Sequence, residues 1–228
     1  MNCTKNENLP RDIKSNSITD AHRQLMRLVN VSGKKVLDER GDMTKQVYGV
    51  TVRINTDKVD HPVYDIIGTP NTEQAIYFTN GIMYSDIADS VAANFDYGYG
   101  KRLRLCDALN IVLDKLFSVP SSRRTWLPIY THDDATGENN EVPCCVGVDF
   151  LIHEDKLCMS VIFRSNDIAM AFPSDAVGFM SLQHAASNIL GYDVGEYTQY
   201  IVSAHYRMTD EDIIEAMLNV DNVNRREV

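Results

Sequence analysis

The sequence predicts an α+β fold, and three observations carry that prediction. Runs with strand-like alternation and runs with helical spacing interleave along the chain without a regular strand–helix–strand repeat. Two strand-like runs, 144–152 and 157–163, are separated only by His153-Glu-Asp-Lys156, a hairpin-sized connection. The 228 residues, 44% hydrophobic and 24% charged, are enough for one domain, or at most two small ones, with a full core.

Each element has a local cause. Residues 1–17 are polar and read as a flexible N-terminal arm, leaving 18–228 as a single domain. Thr19 or Asp20 is placed to cap a helix reaching Val29, with Leu25, Leu28 and Val29 on one side. Val50, Val52 and Ile54 alternate in a strand over 46–54. A helix is expected over Thr72–Phe78, and another over Asp107–Phe117, where Leu109, Val112, Leu113, Leu116 and Phe117 recur at helical spacing before Pro120. Strands follow at Thr125–Tyr130 and in the hairpin pair. A helix then covers Asp175–Leu190 and a strand Tyr197–Tyr206. Thr209 opens a last amphipathic helix, with Asp212 at the third position of a capping pattern.

Composition excludes several function classes. A formal net charge of −10 argues against a nucleic-acid or anionic-membrane binder, which needs a basic face. No apolar run approaches the roughly 18–20 residues of a membrane span. The five cysteines have no disulfide-framework or zinc-ligand spacing, so no metal is expected, and a cytoplasmic protein with reduced thiols is.

The conspicuous polar residues are clustered. Ser121-Ser-Arg-Arg124 follows a helix end, Arg164-Ser-Asn-Asp167 follows an apolar strand, and Arg40 sits in Asp38-Glu-Arg-Gly-Asp42. Arginines beside serines offer forked donors and hydroxyls that suit a phosphate dianion, although Arg123 and Arg124 equally fit a solvated surface. Pro143-Cys-Cys145 poses a similar choice. Cys144 is either a small core residue or a nucleophile whose thiolate nearby arginines would favour.

Taken in order, ERGD at 39–42, YGYGKR at 97–102, SSRR at 121–124, PCC at 143–145, FRSND at 163–167, AFPSD at 171–175 and SAH at 203–205 resemble the thymidylate synthase family, most closely its short archaeal-type members. The resemblance spans about Arg40 to Asp212. It implies a mixed β-sheet flanked by helices, with the sheet forming a homodimer interface, and a site that takes a pyrimidine nucleotide and 5,10-methylenetetrahydrofolate. Cys144 occupies the place of the nucleophile that adds to C6 of the base. Arg164 and Ser165 match phosphate ligands, and Arg123 and Arg124 match the pair contributed to the neighbouring subunit's phosphate. Arg40 matches the flexible-loop arginine, Asp167 the aspartate that holds the folate pterin, and His205 the sugar-binding histidine. Tyr99 matches the tyrosine associated with proton transfer at C5, and Glu73 the glutamate of the following helix.

The departures from the family pattern bear on the substrate. Where a thymidylate synthase has Asn, eleven residues after Arg164, this chain has Asp175. A carboxamide complements uracil, whereas a carboxyl accepts from the amino group of cytosine and, when protonated, donates to N3. Asp at this place marks the cytidylate hydroxymethylases of phage and of nucleoside-antibiotic pathways. The usual His after the nucleophile is Cys145, and the usual Gln five residues on is Asp149, an acid expected near the base pocket. The histidine–tyrosine sugar clamp reads His205-Tyr-Arg207, so Arg207 is a candidate sugar contact and CMP is a candidate substrate beside dCMP. Three readings follow: a CMP or dCMP hydroxymethylase, a thymidylate synthase acting on dUMP, and a non-catalytic nucleotide-binding relative.

Overall fold

The computed structural model describes residues 9–64, 66, 69, 71–80, 98–137, 142–220 and 224–227. Strands β1 (Asp12–Ser15), β2 (Lys34–Leu37), β3 (Met43–Ile54), β5 (Leu127–Pro128), β6 (Cys145–His153), β7 (Lys156–Asp167) and β8 (Asp193–Arg207) form one sheet, ordered β1-β3-β8-β7-β6-β5 with β2 on β3. The sheet is mixed, because β7 and β8 run parallel while β3 pairs β8, and β6 pairs β7, antiparallel. A separate pair joins β4 (Asp60–Val63) to β9 (Asn224–Glu227). The helices are α1 (Ile18–Ser32), α2 (Thr72–Phe78), α3 (Tyr99–Arg104), α4 (Ala108–Ser118), α5 (His132–Thr136), α6 (Phe172–Leu190) and α7 (Glu211–Asn219).

The parallel β7–β8 pair sets the position of α6. A parallel connection must cross over the sheet, and α6 is that crossover. Every residue from Phe172 to Met180 is buried, so the first half of α6 lies between the sheet and the other helices. On the sheet side it meets Val161, Phe163, Tyr197 and Ile201, which alternate inward along β7 and β8. Helix α1 packs on β3 and α6, and its start is held twice. Ser17 caps it by accepting from the Asp20 N–H. The buried Asp60 carboxylate on β4 accepts from the N–H groups of Ile18 (2.7 Å) and Thr19 (3.1 Å).

Several sequence expectations change. Residues 12–15 are not part of an arm but are strand β1, which pairs parallel with β3 while Ile13 enters the core. With one apolar residue among its four, Asp12-Ile-Lys-Ser15 is too short and too polar to register as strand alternation. Helix α1 is capped by Ser17 rather than by Thr19 or Asp20, and Asp60 satisfies the next N–H groups from a distance. Thr125–Tyr130 contributes only the two strand residues of β5. Phe117 is 73% exposed, off the buried face of α4 made by Val112, Leu113 and Leu116. A 3-10 turn, Met208–Asp210, precedes α7, so Thr209 does not cap it. The β6–β7 connection is a tight turn in which Glu154 and Asp155 both adopt positive φ, as a two-residue hairpin requires.

Candidate functional site

Pro143 and Cys144 lead into β6, the RSND run ends β7, and Asp175 lies in the first turn of the buried helix α6. Arg164 joins the first two. Its backbone N–H donates to the Cys144 carbonyl (2.9 Å), its Nε to the Pro143 carbonyl (2.9 Å) and a terminal nitrogen to the Val142 carbonyl (2.9 Å). The guanidinium therefore braces the approach to the cysteine, with its charge beside the thiol.

The adjacent cysteines are not equivalent. Cys145 is fully buried in the core, its thiol facing the Gly147 carbonyl at 3.9 Å. Burial, then the Asp175 charge, lifts its pKa well above the ordinary range. Cys144 is half-buried, and its thiol is pushed up to about 11. Burial is the main cause and the Asp175 carboxylate the next, with Arg164 and Arg40 pulling in the other direction. Asp175, Asp167, Arg164 and Arg40 thus all lie within electrostatic reach of Cys144. Arg40 arrives on the exposed turn between β2 and β3, where the Asp38 carboxylate accepts from the N–H groups of Arg40 and Asp42.

Asp175 is the most perturbed acid of the group. It is 3% exposed, and burial raises it to about 8. The Nδ2 of Asn166 donates to its Oδ2 at 2.7 Å, which favours the charged form but does not offset burial. Asp167 is raised too, mainly by burial, with His205 and Arg207 nearby favouring its charged form. Its Oδ1 accepts from the N–H groups of Ala169 (3.0 Å) and Met170 (3.2 Å). Among the described residues Oδ2 has no hydrogen-bond donor, which leaves it an open acceptor.

Strand pairing places the sugar and phosphate candidates next to these acids. Asp167 is registered with His205, and Ser165 with Ser203. The Ser165 hydroxyl lies 3.4 Å from Nδ1 of His205. Arg207 is exposed two residues further along β8. Tyr99 is buried at the start of α3, its ring stacked on Phe179 (5.6 Å), one turn along α6 from Asp175. Arg102, from the same YGYGKR run, has a structural role: it pairs with buried Asp134 and donates to the Ile129 carbonyl.

Among the described residues no hydrogen bond or ion pair links the other candidates to Cys144. Glu73 is exposed in the first turn of α2, and among the described residues it has no hydrogen-bond or ion-pair partner. Arg123 and Arg124 are exposed beyond α4, and no described carboxylate pairs with either. Asp149 is engaged by other contacts. It alternates with the core residues Val148 and Phe150 and accepts from the Thr125 hydroxyl (2.7 Å), on the face of β6 turned away from α6. Tyr97 and Glu141 lie outside the described residues. Among the described residues no group of three or more His, Cys, Asp or Glu side chains could hold a metal, and no helix is long and apolar enough to cross a membrane.

Sequence reasoning missed Asn166, Gln199 and Tyr197. Gln199 Nε2 donates to Asn166 Oδ1 (3.3 Å), and the Tyr197 hydroxyl donates to Gln199 Oε1 (2.7 Å). The available signal was an amide in the inward series Tyr197, Gln199, Ile201, where a polar side chain needs a buried partner.

Comparison with known proteins accounts for this arrangement. A family model described as "Thymidylate synthase" matches residues 20–224. A protein named "Putative thymidylate synthase" from Methanosarcina mazei is 29% identical over 213 residues, covering 90% of this chain and 93% of the relative. One of the same name from Methanococcoides burtonii is 30% identical over 216 residues, covering 91% and 94%. The "Thymidylate synthase" of Bacillus licheniformis is 31% identical over 121 residues, covering 51% of this chain and 43% of that protein. The chain belongs to the thymidylate synthase family.

Proposed function

We propose that the chain is a cytidylate hydroxymethyltransferase, converting CMP or dCMP to the 5-hydroxymethyl nucleotide. Family membership supplies the coarser statement: a one-carbon transferase acting at C5 of a pyrimidine nucleotide with methylenetetrahydrofolate. The finer reading rests on Asp175. It replaces the asparagine expected there by resemblance, it is buried beside Cys144, and burial raises it to about 8. A carboxyl that holds its proton at neutral pH can donate to N3 of cytosine and accept from its amino group. With its proton held on the oxygen that faces N3, the same group would meet the N3–H of uracil donor to donor and leave a buried donor or acceptor unpaired, at about 1–3 kcal/mol.

In this reading the Cys144 thiol loses its proton and its sulfur adds to C6, which makes C5 the nucleophile. The folate supplies a one-carbon unit at the oxidation level of formaldehyde. C5 takes that carbon, loses its own proton, and tetrahydrofolate leaves. Water then adds to the exocyclic methylene, and expulsion of Cys144 restores the aromatic ring. The sum is nucleotide, methylenetetrahydrofolate and water giving hydroxymethyl nucleotide and tetrahydrofolate, with no oxidation of the folate. Arg164, Ser165, Arg40 and His205 are assigned to phosphate and sugar, Arg207 to the sugar, and Asp167 to the pterin. Tyr99 and Glu73 are assigned to proton transfer at C5.

A homodimer belongs to the same proposal, with Arg123 and Arg124 reaching the neighbouring phosphate. It is supported by an apolar stripe on the sheet face away from α6: Tyr200 (40% exposed) and Val202 (42%) on β8, Ile162 on β7, and Trp126 (42%) lying against Gly147 of β6.

The names of the relatives favour a second reading, methylation of dUMP with release of dihydrofolate. One experiment separates the two. The protein is incubated with methylenetetrahydrofolate and each of CMP, dCMP and dUMP, and the nucleotides are weighed by mass spectrometry. Gain of CH2O on a cytidylate is the expected result. Gain of CH2 on dUMP with dihydrofolate absorbance selects the second reading, and no product from any nucleotide sinks both.

A further inference from the structure

Beside the reacting groups lies a buried polar chain that the proposed chemistry does not use. It starts at Tyr197 on β8, passes through Gln199 on the same strand and Asn166 on β7, and ends on Asp175 of α6. All four side chains are nearly inaccessible: Tyr197 and Gln199 at 0%, Asn166 at 1% and Asp175 at 3% exposed. The three bonds are 2.7, 3.3 and 2.7 Å, and each donor points toward the carboxyl.

That direction has a physical origin. Two amides can be turned end for end, so the chain could in principle run either way. A phenol has one proton. In the observed direction Tyr197 donates it to Gln199 Oε1, and each following acceptor is matched to a donor. Reversal would make Tyr197 an acceptor and leave its O–H without a partner in the core, which costs the full desolvation of that group. Reversal would also require Asp175 to donate to Asn166. The single proton of Tyr197 therefore selects one polarity for the whole chain.

We propose that Tyr197, Gln199 and Asn166 form a positioning relay that fixes Oδ2 of Asp175 as an acceptor and leaves Oδ1 as the oxygen that carries a proton and faces a base. Without it the two oxygens are interchangeable, and the carboxyl presents either donor–acceptor order. With it the order is single, as discrimination between cytosine and uracil requires; this last step rests on the function proposed above. None of the three residues needs to touch the nucleotide. The bond from Asn166 also favours ionised Asp175 against the much larger effect of burial, so the relay tunes the protonation of the acid it orients.

The test separates the relay from the base-reading hypothesis. Carboxyl 13C NMR of the nucleotide-free protein follows the titration of Asp175, its signal assigned by absence in Asp175→Asn. In Asn166→Ala the midpoint should rise above the wild-type value near 8. In Tyr197→Phe, which keeps the ring and touches no atom of Asp175, it should rise by less. Asn166→Thr, whose hydroxyl can still donate, should return most of the shift, and it covers the case in which the alanine variant fails to fold. In a second arm, the ratio of CMP to UMP affinity should fall in Tyr197→Phe by up to about tenfold, the equivalent of one neutral hydrogen bond. An unmoved midpoint in Tyr197→Phe overturns the relay, whatever Asn166→Ala does. Midpoints that move while the wild type shows no preference for CMP leave the relay standing and reject the base assignment instead.

Discussion

Changing Asp175 to Asn should alter stability in a way that depends on pH, and the size of the effect follows from burial. The carboxyl sits at about 8 in the folded protein against an ordinary 3.8. A raised acid binds its proton more tightly in the folded state. Its stabilising contribution is therefore complete below pH 3.8, declines as pH climbs through the interval, and levels off above about 8. Each pH unit inside the interval is worth about 1.4 kcal/mol, so the wild type loses about 4 kcal/mol between pH 4.5 and 8.5 through this group alone. Asn has the same shape and no charge. Its oxygen keeps the bond from Asn166, but its amide brings a second buried donor pair, a pH-independent cost of about 1–3 kcal/mol. The variant should thus be slightly less stable than wild type at pH 4.5 and more stable by about 2–4 kcal/mol at pH 8.5.

The assay is urea unfolding across that range, followed by the emission of the single tryptophan, Trp126, and by far-ultraviolet circular dichroism. Protein concentration must be held constant, because association would couple stability to it. Taking the difference between the two proteins cancels the other carboxylates. The informative quantity is the change in that difference with pH. A change below about 1 kcal/mol would mean that Asp175 is not a buried, proton-holding acid, and the argument for a neutral carboxyl at the base would go with it.

Two further predictions address the nucleophile and the subunit arrangement. Cys144→Ser should abolish turnover and exchange of the C5 proton while Cys145→Ser retains both, and iodoacetamide should label Cys144 in preference to Cys145, with a rate that rises toward pH 11; equal loss in both variants would refute the assignment. Mixing inactive Arg124→Ala with inactive Cys144→Ser should restore about a quarter of wild-type sites after random exchange, because one site of each hybrid dimer has both groups intact; no recovery after verified exchange would count against shared sites.

How much of this was legible in the sequence depends on the range of the interactions. The β6–β7 hairpin, α2, the inward face of β3 and the body of α6 follow from local periodicity, which acts over a few residues. Strand β1 and the start of α1 do not, because their causes lie far along the chain: β1 exists through pairing with Thr51–Ile54, and Asp60 holds the N–H groups of Ile18 and Thr19 from about 40 residues away. The site divides in the same way. Clustered motifs drew attention to Cys144, Arg164, Asp167 and Asp175. Asn166 was hidden inside one of those motifs and Gln199 inside a strand, because their meaning lies in each other. Asp149 misled for the converse reason: it is close to Cys144 in sequence, but it alternates with the core residues Val148 and Phe150 and accepts from the Thr125 hydroxyl.

The raised values of Asp175 and Cys144 are connected, and the connection favours the chemistry. Each group, when charged, makes charging the other harder. Near neutral pH the burial of Asp175 keeps most of its population protonated, so its repulsion of a Cys144 thiolate is largely absent and the pull of Arg164 and Arg40 meets less opposition. A carboxylate with an ordinary pKa at the same place would be charged throughout and would hold the thiol protonated. The helix burial that costs stability at high pH therefore serves two purposes at once. In the proposed reading it keeps a proton where cytosine can accept it, and it keeps a negative charge away from the Cys144 sulfur that must acquire one. An asparagine meets the second requirement equally well and, in the proposed reading, pairs with uracil in place of cytosine, which would let this position exchange base preference without disabling the nucleophile.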